Sequence, residues 1–384
     1  MKISLRDLFL LDPAVHFLNH GSFGACPRPV FDTYQAWQRR LESQPVLMLG
    51  REYDALLQRA RQALGAFLHA PADDLVFIPN ATYGVNVMAH SLRLAPGDEI
   101  LAGDHEYGAC EYAWEAACKR SGALYIRQPI PLDGSPEEIL EALWQGVTAR
   151  TRVLFLSHIS SATALHFPVE AACRRARQAG ILTVIDGAHA PGQIPLDLET
   201  LGADVYTGNC HKWLMSPKGA AFLYVRPELQ PQVEPVVVSW GYHATPEKTS
   251  GSRYLDYLTW SGTHDPSAYL TVPAAIDFLR DYDWDAVRAD CQALLYRALE
   301  GVQTITGLPA VYAPGPEGIR QMAVAELPAG TDVNCVKARL MDEFAVEVPL
   351  TEWNGRKFVR ISVQGYNTAE DIDALLEGLK ACIH

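Results

Sequence analysis

Two segments of the chain end in residues that can do chemistry together. In Val184-Ile185-Asp186-Gly187-Ala188-His189 a carboxylate follows a short apolar run, and in Asn209-Cys210-His211-Lys212-Trp213 a lysine does the same. An amine and an acid in this order match the needs of pyridoxal 5'-phosphate. The cofactor's aldehyde forms a Schiff base with an amine, and its ring accepts electrons only if an acid keeps the ring nitrogen protonated. Lys212 and Asp186 are the candidates for those two roles. Asn209 and His211 flank the lysine with polar groups suited to a phosphate, and Ser216-Pro217-Lys218-Gly219 supplies a turn. Taken singly, an Asp-Gly at a strand end is an ordinary turn and a His-Lys is a solvated loop. Both arriving in order, behind apolar strands of one α/β pattern, point to a shared site.

That pattern must position them. From Tyr53 to Leu68 the apolar residues Leu56, Leu57, Ala60, Leu64, Phe67 and Leu68 recur at helical spacing. Leu75 to Ile78 reads as a strand ending at Pro79, and Gly84 to His90 resumes helical character; a strand, polar turn and helix in series present backbone N–H groups to an anion. The alternation continues with strands at Glu99 to Ala102, Ala123 to Ile126, Val153 to Leu156 and Leu182 to Ile185. Helices are expected over Ala109 to Lys119, Pro136 to Gln145 and Val169 to Gln178. Near-continuous apolar strands separated by helices predict an α/β fold with a mostly parallel sheet covered on both faces. Ligands in such sheets sit beyond the carboxyl ends of the strands. Asn80-Ala81-Thr82, Asp104-His105-Glu106-Tyr107, Ser157-His158 and Asp186 all fall there.

Val233 to Asp265, rich in Gly, Ser, Thr and Trp, is the longest stretch without clear periodicity and is expected to serve the site, before helix returns at Ala268 to Leu279. Near Trp284 the character changes toward a smaller α+β unit. It should hold helices at Asp285 to Leu299, Val333 to Phe344 and Ala369 to Leu379, and strands at Met322 to Ala325 and Phe358 to Val363. The division expected is an N-terminal arm over 1–20, a large cofactor-binding domain over 21–283 and a small domain over 284–384.

Composition bounds the alternatives. At 384 residues the chain exceeds the usual limit of one core, and 48% hydrophobic with 20% charged residues fits a globular protein. A net charge of −13 argues against general attraction to nucleic acid or anionic membrane. The eight cysteines show no C-x-x-C spacing, so neither a metal site nor a disulfide framework is expected, and reduced thiols in cytoplasm are the default. The start Met1-Lys2-Ile3-Ser4-Leu5-Arg6-Asp7 lacks the apolar stretch of a signal peptide, and no segment approaches about 18 uninterrupted apolar residues.

These residues carry a resemblance. The chain resembles the class V aminotransferase family of fold-type I pyridoxal-phosphate enzymes, and within it the isopenicillin N epimerase-like proteins and their C–S lyase relatives. The likeness runs from Phe17-Leu18-Asn19-His20-Gly21-Ser22-Phe23-Gly24 to Arg360-Ile361-Ser362 and Tyr366-Asn367-Thr368. It implies a phosphate held by the Ala81 N–H and the Thr82 hydroxyl at a helix N-terminus, where exposed N–H groups and the helix dipole favour a dianion. It adds Asn209 and His211 as further phosphate neighbours. Thr263, in Trp260-Ser261-Gly262-Thr263, matches a position that reaches over from a partner subunit, which implies a homodimer with shared sites; an ordinary turn threonine is the alternative. Tyr107 corresponds to the residue whose ring stacks on the pyridine, usually a histidine in the related cysteine desulfurases. A tyrosine stacks as well and offers a hydroxyl as acid, and packing alone is the other reading. His189 stands where many relatives carry glutamine near the cofactor's phenolic oxygen, with a strand-end cap as the alternative. Arg360 matches the arginine that clamps the substrate carboxylate, a role suited to a planar fork. Asn19 and His20 are expected at the substrate entrance. Ser161 stands where desulfurases tend to have asparagine, so its contact is left open.

One departure matters most. The desulfurases carry a nucleophilic cysteine on a loop ahead of the carboxylate arginine, whereas Val346 to Phe358 contains none. Sulfur transfer through a persulfide is therefore disfavoured, while elimination at Cβ needs no such thiol. The expected activity acts at Cα or Cβ of an amino acid or amino-acid conjugate, through a Lys212 aldimine and a quinonoid. Tyr107 and His189 are then the candidate second acids. An isopenicillin N epimerase-like reaction is the first reading; a C–S lyase of the cysteine-conjugate or hercynylcysteine sulfoxide type comes next, and then an aminotransferase. The rival of a different class is a pyridoxal-phosphate-binding protein without turnover.

Overall fold

The computed structural model describes residues 5–245, 249–312 and 319–383. At its centre is a seven-stranded sheet: β1 (Leu75–Ile78), β2 (Glu99–Gly103), β3 (Leu124–Gln128), β4 (Thr151–Ser157), β5 (Leu182–Asp186), β6 (Val205–Asn209) and β7 (Ala221–Val225). The order across the sheet is β1-β7-β6-β5-β4-β2-β3, and only β7 runs against its neighbours. Alternate residues of the strands enter different apolar layers. Leu101, Leu154, Ile185, Tyr206 and Phe222 face one, while Ile100, Phe155, Val184, Val205 and Leu223 face the other with Val85 and Trp114. Burial on both faces is why these strands read as unbroken apolar runs. The same physics hid β7, where all five residues are buried and no polar residue marks a period.

The helices begin where local chemistry starts them. Asn80 accepts a hydrogen bond at 2.9 Å from the Tyr83 N–H and so caps α1 (Ala81–Ser91) directly after β1. A reciprocal Ser135 and Glu138 capping box, with Pro136 in the first turn, starts the helix Pro136–Trp144. The expected helix boundaries Tyr53–Leu68 and Val169–Gln178 are those observed. The aperiodic region after Val233 contains a short helix, Arg253–Thr259, capped by Ser252. Among the described residues no helix is long and apolar enough to cross a membrane.

A second, antiparallel sheet of order β9-β10-β8 comprises β8 (Met322–Leu327), β9 (Leu350–Trp353) and β10 (Arg356–Ser362). Strand β9 was not anticipated, since its Leu-Thr-Glu-Trp sequence is too short and too mixed to show a period. The chain's beginning is tied to this unit. His16–Phe17 pairs in parallel with Val346–Glu347, and Arg6 (3.1 Å) and His16 (2.7 Å) both reach Asp371, which is almost fully buried.

The following turn returns to the large sheet. Gly24 holds φ +70°, and a Cβ there would lie 2.1 Å from the His211 carbonyl oxygen and 3.0 Å from the Lys212 Cα. Gly24→Ala is therefore expected to cost about 3 kcal/mol, combining left-handed strain with displacement of packed backbone. A urea denaturation midpoint equal to the parent's would contradict this.

Candidate active site

Lys212 follows β6 by a few residues, and Asp186 is the last residue of β5, so both groups stand at the carboxyl edge of adjacent parallel strands. The Lys212 amine is fully buried, and that burial pushes its pKa down to about 8, against the pull of Asp186 and with the push of Arg360. Its Nζ lies 3.0 Å from His189 Nε2. Asp186 accepts from the Ala188 N–H at 2.9 Å and from the Cys110 thiol at 3.4 Å. Burial pushes its pKa up, and Lys212 opposes that. His189 is buried and its pKa is held well below the ordinary imidazole range by desolvation, then by Lys212, Arg360 and His20.

Arg360 enters from β10 of the smaller sheet. It is 5% exposed, and burial lowers its pKa to about 10. Nη1 donates to the Ser161 carbonyl (2.5 Å) and hydroxyl (3.2 Å), Nη2 donates to the Ser22 hydroxyl (2.9 Å), and Nε has no partner. Among the described residues Arg360 makes no ion pair. A buried guanidinium served only by neutral oxygens is a receptor for an anion. Tyr107, at the N-cap of the helix Gly108–Ser121 and 48% exposed, is with Tyr312 its electrostatic neighbour.

Ser161 thus touches Arg360. Ser22 was missed, although Asn19-His20-Gly21-Ser22 contained it. Its hydroxyl donates to Asn19 Oδ1 at 2.5 Å, and Asn19 Nδ2 donates to Glu347 at 3.0 Å.

The structure places the other candidates as follows. Asn19 and His20 are both buried. The His20 ring sits 3.0 Å from the Tyr366 hydroxyl and 3.1 Å from the Lys212 carbonyl oxygen, so it braces the lysine's backbone. The Ala81 N–H, expected on a phosphate, donates to Asn209 Oδ1 at 2.8 Å; a buried amide left unpaired would be costly, and Asn209 ends the strand facing it. His211 Nδ1 donates to the Ala220 carbonyl at 2.9 Å and burial lowers its pKa to about 4, so the neutral ring offers only a lone pair at Nε2. Thr82 opens α1 beside Cys110. Thr263 is exposed, next to Gly262 at φ +127°.

Glu106 was named in the sequence without a role. Its Oε2 accepts from the Ser157 N–H (2.8 Å) and hydroxyl (2.6 Å), whereas Oε1 is buried without a partner. Burial, with Asp186 nearby, raises its pKa to about 8. The folded state therefore binds a proton that the unfolded chain has released above about pH 4.5, and stability falls as pH rises from there through about 8. Glu106→Gln is expected to be more stable than the parent at pH 9 and to lose that advantage by pH 5, as read by thermal melting. An advantage equal at both pH values would refute the assignment.

A buried lysine opposite a buried acid at adjacent strand tips, with an anion-receptive arginine brought in from a second unit, defines a pyridoxal-phosphate site of the aminotransferase type. The donor set fits the group: an amine depressed toward neutrality, a carboxylate held by one backbone N–H and one thiol, and a polar helix N-terminus. The family model for aminotransferase class-V matches residues 24–375, and the chain belongs to that family of pyridoxal-phosphate-dependent enzymes. It is 37% identical to isopenicillin N epimerase of Amycolatopsis lactamdurans, over 98% of this chain and 97% of that one. It is 28% identical to a putative L-cysteine desulfhydrase of Oryza sativa subsp. japonica, over 95% and 83%. Among solved structures, the cystine C–S lyase C-DES in complex with cysteine persulfide superposes with a TM-score of 0.82 at 21% identity, covering 97% of this chain and 99% of that chain. That last likeness speaks to the fold.

Proposed function

We propose that this enzyme inverts the Cα of an amino acid or amino-acid conjugate by removing and returning its proton, in the manner of an isopenicillin N epimerase. The observation that carries the reading is Arg360. A buried, unpaired guanidinium that electrostatically feels the same pocket as Lys212 is where a substrate carboxylate binds with its Cα near the amine. When bound, pyridoxal 5'-phosphate supplies the electron sink for a carbanion at that carbon.

The chain's residues divide the remaining work. Asp186 holds the proton at the ring nitrogen. The Arg360 fork orients the carboxylate, with Ser22 and Ser161 fixing the fork. Lys212 Nζ takes the Cα proton, a task for which an amine near neutrality is suited. Tyr107, beside Arg360 and open to solvent, returns a proton from the other side, and His189 serves Lys212. Thr82, Asn209 and His211 would hold the phosphate, whose charge would raise the His211 pKa and let the ring donate. Thr263 of a second copy completes this cradle in a homodimer. Residues 21–283 thus carry the cofactor, and 284–384 supply the substrate clamp.

Elimination at Cβ is the second reading, favoured by the desulfhydrase relative and by the lack of a cysteine between Val346 and Phe358 that a persulfide relay would need. Incubation with L-amino acids and cysteine conjugates in deuterated water separates the two. Deuterium at Cα with loss of chirality is the expected result, and pyruvate with ammonia release instead would replace epimerisation by lysis.

A further inference from the structure

Trp213, the residue after Lys212, has its indole N–H 3.3 Å from His189 Nδ1 and is completely buried. An indole nitrogen only donates, so Nδ1 of His189 must be the accepting nitrogen. A neutral imidazole that accepts at Nδ1 carries its hydrogen at Nε2, and that nitrogen is the one 3.0 Å from Lys212 Nζ. The Nε2–H therefore points at the amine. A free amine answers it with a lone pair, whereas an ammonium would meet donor with donor.

We propose that Trp213 is a positioning residue that locks His189 as the Nε2–H tautomer, so that His189 donates to Lys212 Nζ and holds the lysine as the free amine. The lock is built from packed parts. The Trp213 ring lies 4.9 Å from the His20 ring, centroid to centroid, and shares a buried cluster with Met322 and Ile159. Gly192, at φ +87°, lets its turn approach the Trp213 carbonyl so closely that a Cβ would sit 2.4 Å from it. The His189 backbone is held in turn by the Gln193 side chain at 2.8 Å. The charged and titratable groups facing this pair are Asp186, Arg360 and Cys110 around Lys212, and Arg360 and His20 around His189. Asp186 and then Cys110 favour the ammonium, and the tautomer acts against them. Only the consequence for cofactor capture rests on the function proposed above; the hydrogen-bond pattern does not.

The test uses the full chain labelled with ¹⁵N-histidine and stripped of cofactor, with His189→Gln to assign the resonance. The His189 ring is expected to show the Nε2–H tautomer. Trp213→Phe, which keeps an aromatic ring and removes the N–H, should release the tautomer and raise the pH midpoint for capture of pyridoxal 5'-phosphate by about one pH unit. His189→Gln should keep the parent midpoint, because its amide can accept from Trp213 and donate to Lys212. An Nδ1–H tautomer in the parent overturns the inference, and so does a folded Trp213→Phe with an unmoved midpoint. Should that variant not fold, the parent tautomer and the glutamine variant decide. A parent that shows the Nε2–H tautomer yet never captures the cofactor would leave this pattern standing and remove the proposed function instead.

Discussion

Lys212→Ala is expected to lower turnover by about 10³-fold or more, because one substitution deletes both the cofactor's covalent anchor and the base for the Cα proton. The amine is suited to both tasks by its position rather than by its type alone. It is fully buried, so its ammonium form is penalised and its pKa falls to about 8 although Asp186 stands near it. An exposed lysine at the ordinary value would be almost entirely protonated at neutral pH and a poor nucleophile and base. The same variant gives a second readout that does not depend on knowing the substrate. Borohydride treatment should fix the cofactor irreversibly to the parent chain and leave the variant unlabelled. His20, Gly24 and Gly192 pack against the lysine loop rather than against the amine, so the variant should fold, melting somewhat lower without cofactor because the buried His189 loses its partner at Nε2. Parent-like turnover in a folded variant would end the assignment.

The features legible in the sequence are those whose cause is local. Asp186 and Lys212 announce themselves because the first closes a strand and the second follows one by three residues, and strand ends are where a parallel sheet presents side chains to a ligand. The start at Pro136 was readable for the same reason, since Ser135 acts within three residues of itself, whereas the helix expected from Gly84 begins three residues earlier, at Ala81. What stayed hidden depends on contacts far apart in the chain. Ser22 and Ser161 meet at Arg360 only because the N-terminal turn, the large sheet and β10 converge there. The contact of His20 with the Lys212 carbonyl likewise depends on the pairing of His16–Phe17 with Val346–Glu347. The diversion of the Ala81 N–H to Asn209 has the same origin, since β6 and α1 are brought side by side by a sheet order that the chain order does not reveal. Glu106 looked like one polar residue among four; its distinction lies in a burial that only the packed fold supplies. Strand β7 was lost for the opposite reason, because a segment buried on every side has no pattern left to read.

Arg360→Ala should lower kcat/KM for amino-acid substrates by about 10²–10³-fold, with most of the loss in KM. The magnitude follows from what the site has already spent. A guanidinium 5% exposed has given up water for two serine hydroxyls and one carbonyl, its Nε is unsatisfied, and it has no carboxylate among the described residues. Burial drags its pKa down to about 10, the mark of a cation short of compensation. A bound carboxylate returns that compensation as a bidentate pair in a medium where such pairs are strong. The same reasoning predicts an asymmetry that a merely structural arginine would not show. Without substrate, Arg360→Ala should melt no lower than the parent, since it removes an uncompensated buried charge along with three modest hydrogen bonds. With a carboxylate-bearing amino acid present, the parent alone should gain thermal stability, because only the parent binds it. Arg360→Lys should fall between the two, keeping the charge while losing the fork. If the alanine variant instead melts well below the parent and binds amino acids as tightly, Arg360 is a brace between β10 and the segment carrying Ser161, and the carboxylate must be held elsewhere.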